Sequence, residues 1–107
     1  MSYSLSMESN LKQRWYDLDP TMSLAVSLMH DAQFEQQTEC AKMIIKKAHD
    51  FNIYIEKNKL EDAFNYFCKR WYDKDREIAD AFQYLQIMPF DLQKEVSLEI
   101  IEKLEQK

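Results

Sequence analysis

Four side chains in this sequence are of types that hold zinc or serve as nucleophile and base: His30, Cys40, His49 and Cys68. Zinc sites draw their ligands in close pairs, roughly two to five residues apart. Here Cys40 and His49 are nine apart, which on one helix turns them to opposite sides. No Glu-x-x-His pair exists to build a di-iron bundle. The same residues offer Cys–His nucleophilic chemistry, but nothing fixes them near each other or supplies a site for an oxyanion. Core cysteines and surface histidines account for them better.

Two Asp-x-Asp pairs, Asp17/Asp19 and Asp73/Asp75, raise the question of a divalent cation. Calcium loops require more oxygen ligands and a glycine at their sharp turn, and this chain contains no glycine. A helix cap explains one aspartate of each pair. Asp19 stands directly before Pro20, an acceptor followed by the residue whose missing N–H costs nothing at a first helical position. Asp75 is the matching cap, and Arg14 and Arg70 are placed to pair with Asp17 and Asp73. No metal and no cofactor is expected.

Both pairs belong to a longer match. Arg14-Trp15-Tyr16-Asp17-Leu18-Asp19 returns as Arg70-Trp71-Tyr72-Asp73-Lys74-Asp75, an offset of 56. Without gaps, 14–48 against 70–104 gives 12 identities in 35 positions, where random pairing at average residue usage gives roughly two. Helical patterning alone does not supply a shared Arg-Trp-Tyr-Asp. As a recognition motif, each copy carries the residue types that dominate binding hot spots. As a structural motif, Trp15 and Trp71 anchor their hairpins by packing. One motif used identically twice fits the structural role better.

These segments sit on helices. Met22, Ala25, Val26 and Met29 follow i, i+3, i+4, i+7 spacing, as do Ile78, Ala81, Phe82 and Leu85. A turn falls near Gln33 and again at Pro89. The second helix of each unit then shows Ala41, Ile44, Ala48, Phe51 and Ile55, and Val96, Ile100 and Leu104. Phe51, Ile53 and Ile55 also alternate like a strand, but a lone strand lacks a partner and helix is kept. Between the units, Leu60, Ala63, Phe64, Phe67 and Trp71 make one stripe, with Asn58 as its cap. This connecting helix either runs on through the second Arg-Trp-Tyr-Asp or breaks near Asp73–Asp75, and the break is favoured by analogy with Asp19-Pro20. The fold expected is an all-α bundle of four or five helices, made of two homologous hairpins by internal duplication. Its parts are a flexible tail, 1–12, and one domain, 13–107, holding repeat one (14–48), a connecting helix (about 58–72) and repeat two (70–104).

Composition narrows the partners. The 107 residues are 46% hydrophobic and 31% charged, with a net charge of −5, a globular balance. Absence of glycine removes phosphate loops, dinucleotide fingerprints and nucleophile elbows. Acidity disfavours nucleic acid; a regulator of that kind needs Lys42, Lys46 and Lys47 to join Lys69 and Arg70 on one face. Two cysteines make no disulfide framework, no apolar run reaches spanning length, and the Ser-rich start lacks a secretory pattern, so a cytoplasmic location without membrane contact is expected. Where the units disagree, Leu24 faces Asp80 and Met43 faces Glu99. If the acidic residues mark exposed positions, Leu24 and Met43, with Leu28 one turn on, form an apolar patch for a partner, unless the connecting helix covers it. The function expected is a small acidic protein-interaction module (an adaptor, an inhibitor or a self-associating domain) without catalysis, binding a protein partner or its own copy. The rival readings are a metal-binding bundle or enzyme, and a nucleic-acid-associated regulator.

Overall fold

The computed structural model describes residues 14–67 and 70–105. The expected tail at 1–12, Cys68 and Lys69 lie outside them. Five α-helices run in order: α1 (Pro20–Asp31), α2 (Phe34–Asp50), α3 (Lys57–Phe67), α4 (Arg76–Ile87) and α5 (Phe90–Glu105). A 3-10 turn precedes α1 (Trp15–Leu18), and another precedes α4 (Trp71–Lys74). No strand occurs among the described residues.

Each of these turns is tied by one arginine and one aspartate. Asp73 Oδ2 accepts from the Arg70 backbone N–H at 2.9 Å and from its Nε at 2.8 Å, while Oδ1 takes Nη2 at 2.9 Å. Asp17 holds Arg14 in the same way, Nε donating at 2.9 Å. The next aspartate starts the helix. Asp19 Oδ2 accepts from Met22 N at 3.0 Å, and Asp75 Oδ2 from Ile78 N at 3.1 Å. Each cap satisfies an amide that the helix itself leaves without a partner. Asp19→Ala and Asp75→Ala are therefore expected to destabilise by similar amounts, about 1 kcal/mol each, in urea denaturation. A clear loss at one site and none at the other speaks against two equivalent caps.

The corner between α1 and α2 is two extended residues, Ala32 and Gln33. Gln37, 1% exposed, reaches back from α2, its Nε2 donating to Met29 O at 2.8 Å. Gln93 does the same from α5 to Leu85 O at 2.9 Å. These side-chain amides give a second donor to terminal carbonyls that otherwise accept only the cap N–H of Ala32 or Met88, and so fix the corner.

Two helix boundaries differ from the sequence expectation. The helix expected to run on through Phe51 and Ile55 stops at Asp50. Asn52 has φ of 62°, the one positive value among the described residues. Ile53 N bonds to Ala48 O at 2.8 Å and Asn52 N to His49 O at 2.9 Å, the paired reverse bonds of a left-handed helix stop, where asparagine is tolerated. Ile53 and Ile55 then follow outside any helix or strand, half-buried against the core. The connecting helix expected over about 58–72 covers Lys57–Phe67. It begins on Glu56, whose carbonyl accepts from Leu60 N at 3.1 Å, so Asn58 lies inside the first turn and is no cap. Trp71 and Tyr72 belong to the second 3-10 turn. The bonds from Arg70 to Asp73 need Arg70 extended (φ −79°, ψ 157°), which a continuous helix forbids.

Hairpin partners do not pack mainly on each other. α1 lies against α5, and α2 against α4. The buried faces of Met22, Val26, Met29, Ile44, Ile78, Phe82, Leu85, Val96 and Ile100 meet between them. Ion pairs tie α2 to α5 reciprocally. Lys47 reaches Glu95 at 3.3 Å, and Lys103, its counterpart 56 residues on, reaches Glu39, the counterpart of Glu95, at 3.4 Å. Glu99, at 2.7 Å, holds the Lys47 ammonium above its ordinary range.

Candidate functional site

The crossed packing brings the two Arg-Trp-Tyr segments together. Arg14, Trp15, Tyr16, Arg70, Trp71, Tyr72 and Gln86 line a shared cavity of about 400 Å³. Trp15 Nε1 donates to Tyr72 Oη at 3.3 Å, across the junction. Burial pushes the Tyr72 phenol up from its ordinary pKa. Each arginine stacks on a tyrosine of its own segment, Arg14 over Tyr16 at 4.7 Å and Arg70 over Tyr72 at 4.6 Å. Behind the cavity, Phe82 is approached edge-on by Trp15, Trp71 and Tyr72. His30 of α1 stacks on Trp71 at 4.6 Å. The environment of the two turns is not identical: Tyr16 and Tyr72 are both buried, but Asp73 is 5% exposed while Asp17 is intermediate. Hydrogen bonding to Arg14 holds the Asp17 carboxyl below the usual range, and Ser23 Oγ donates to it at 3.0 Å.

The three described candidates for zinc binding or nucleophilic chemistry, His30, Cys40 and His49, have separate surroundings. Cys40 is sealed in the core, where burial pushes its thiol up to about 11. His49 stacks on Tyr54 at 4.5 Å, with a ring nitrogen 3.3 Å from Tyr84 Oη. Among the described residues no group of three His, Cys, Asp or Glu side chains is placed to hold a metal ion. The lysine strip is spread over different acids: Lys46 pairs with Asp50 and Lys47 with Glu95 and Glu99, while Lys69 lies outside the described residues.

The three residues of the expected apolar patch have different surroundings. Leu24 is 46% exposed on α1. Leu28, one turn on, is half-buried and lines a cavity of about 500 Å³ with Ala32 and Leu104, among others. Met43 is half-buried against the core on α2. The acidic counterparts do not mark bare positions. The Asp80 side chain is 20% exposed and paired with Arg76, and burial pushes its carboxyl up. Glu99 pairs with Lys47.

Among the described residues, what distinguishes the two sides is α3. It packs along α4, with Glu61 4.0 Å from Arg76 and the Arg76 guanidinium over Phe64 at 5.4 Å. Arg76, Asp80 and Gln83 are half-buried there. Their counterparts on α1, Pro20, Leu24 and Ser27, are all exposed. Spacing did not reveal the cavity, since two segments 56 residues apart meet only through tertiary packing. The corner glutamines were visible as an identical pair but not as a structural device.

No protein-family model matches this chain, and no curated protein and no solved structure is significantly similar to it. No helix among the described residues is long and apolar enough to cross a membrane.

Proposed function

We propose that the chain is a protein-interaction module, without catalysis, that associates with a second copy through the exposed face of α1. The observation that carries this reading is the unequal cover of equivalent faces. Among the described residues a helix lies on α4, whereas Pro20, Leu24 and Ser27 of α1 are exposed. Exposed leucine area is unfavourable by roughly 25 cal/mol per Å² until it is covered. The face is uncharged from Pro20 to Leu28, so two copies can meet there without bringing like charges together, despite the net charge of −5. Twofold self-pairing closes two identical faces at once. We also infer that the two hairpins arose by duplication. In support stand the 12 identities in 35 positions, the helix starts repeated at an offset of 56, and the reciprocal Lys47–Glu95 and Lys103–Glu39 pairs.

Sedimentation velocity over a concentration series tests the association. The parent chain is expected to dimerise. Leu24→Asp is expected to stay folded with little change in melting temperature, as for other exposed sites, and to weaken the dimer by roughly tenfold or more. A parent that stays monomeric throughout overturns self-association and leaves the face to a helix of another chain. A Leu24→Asp variant that unfolds makes the face part of the core.

A further inference from the structure

The cavity between the Arg-Trp-Tyr segments has a composition that packing alone does not require. Its volume, about 400 Å³, falls within the range of small-molecule sites. Rings of Trp15, Tyr16, Trp71 and Tyr72 supply flat apolar walls, and Arg14 and Arg70 converge on it, one from each segment. The aspartates that hold these arginines, Asp17 and Asp73, are not part of its lining. A ligand therefore meets aromatic rings and the sides of two guanidiniums whose Nε and Nη2 are held by Asp17 and Asp73. Guanidinium pairs well with a planar carboxylate, and flat rings accept a flat apolar body. The two indoles also differ. Trp15 Nε1 donates to Tyr72 Oη, whereas Trp71 Nε1 is buried with no acceptor among the described residues, so the Trp71 wall lacks the internal bond that closes the Trp15 wall.

We propose that this cavity binds a planar aromatic ring bearing a carboxylate, the ring between the indole and phenol walls and the carboxylate toward Arg14. Such a group is carried by a free aromatic acid or by the last residue of a peptide. The chain has two tryptophans, so a nitrogen–proton correlation spectrum of the full chain carries two indole signals, assigned by Trp15→Phe and Trp71→Phe. Titration with phenylacetate is expected to move the Trp71 signal to saturation at millimolar concentration or below. Phenethylamine, the same ring with an ammonium group, is expected to move neither. A tripeptide ending in phenylalanine with a free carboxylate separates the sources: binding tighter than phenylacetate assigns a chain terminus, and weaker binding a free acid. Arg14→Gln is expected to weaken phenylacetate by about tenfold while the backbone signals stay dispersed as in the parent. No saturable shift with either carboxylate, equal binding of phenethylamine, or full affinity in a folded Arg14→Gln overturns the proposal.

Discussion

Asp73→Ala is expected to destabilise the chain by about 3–5 kcal/mol, against about 1 kcal/mol or less for Asp17→Ala at the matching position. The two aspartates make the same bonds to the arginine of their own segment, and Asp17 also accepts from Ser23 Oγ, so the larger cost at Asp73 comes from burial. The Asp73 side chain is 1% exposed and that of its partner Arg70 25%. The corresponding values for Asp17 and Arg14 are 20% and 57%. Removing Asp73 takes its carboxylate from a guanidinium that is only 25% exposed, where water offsets less of the loss than it does at Arg14. Removing Asp17 leaves Arg14 able to solvate itself, and screening by water already makes that pair weak. Urea denaturation of both single variants gives the comparison. A double variant, Arg70→Met with Asp73→Ala, is expected to recover part of the loss, because the largely buried guanidinium is then gone. Equal costs at the two sites would show that the turn geometry, and not burial of the charge, sets the energy.

The sequence announces helix starts here more clearly than helix ends. Asp19-Pro20 states its boundary in two residues, and the shared Arg-x-x-Asp-x-Asp transfers it to Asp75, where no proline helps. The stop at Asn52 is hidden, because Phe51, Ile53 and Ile55 stay apolar on both sides of it and the αL conformation is taken by an asparagine rather than a glycine. Trp71 falls on the same helical stripe as Leu60 and Phe64, so periodicity alone assigns it to the connecting helix. An arginine and an aspartate three apart suit a helix face as well as a 3-10 turn. Only the turn uses the arginine backbone N–H, and that detail is not legible in one dimension. The candidate site was half legible. The unusual residues were evident, but their meeting depends on α1 crossing to α5 and α2 to α4, an exchange that no local pattern records. The apolar patch rests on Asp80 marking exposure, and α3 on α4 undoes that inference: a carboxylate beside Arg76 is tolerated at partial burial.

Phe82→Ala is expected to cost about 3–5 kcal/mol, the usual range for truncating a fully enclosed aromatic side chain. Phe82 is 1% exposed. Its ring centroid lies 4.1 Å from that of Tyr72, 5.4 Å from Trp71 and 6.5 Å from Trp15, each at a steep interplanar angle. One side chain of α4 thus braces aromatic residues of both 3-10 turns, although it belongs to the second hairpin alone. The counterpart on α1 is Val26, also 1% exposed, and too short to span the same distance. Val26→Ala removes two methyl groups and is expected to cost about 2 kcal/mol. The asymmetry matters because a domain of this size has only about 5–15 kcal/mol in total. Loss of Phe82 removes a large part of it and loosens both tryptophans together. Near-ultraviolet circular dichroism is therefore expected to fall more than the far-ultraviolet signal in Phe82→Ala below its melting point, whereas Val26→Ala keeps both. Phe82→Leu separates volume from ring geometry: it retains most of the apolar bulk and is expected to cost under about 1.5 kcal/mol if filling the space is what counts. A loss as large as that of Phe82→Ala would instead assign the stability to the edge-to-face contacts with Tyr72 and Trp71. A loss below about 1 kcal/mol in Phe82→Ala itself would mean that the two turns do not depend on a common brace.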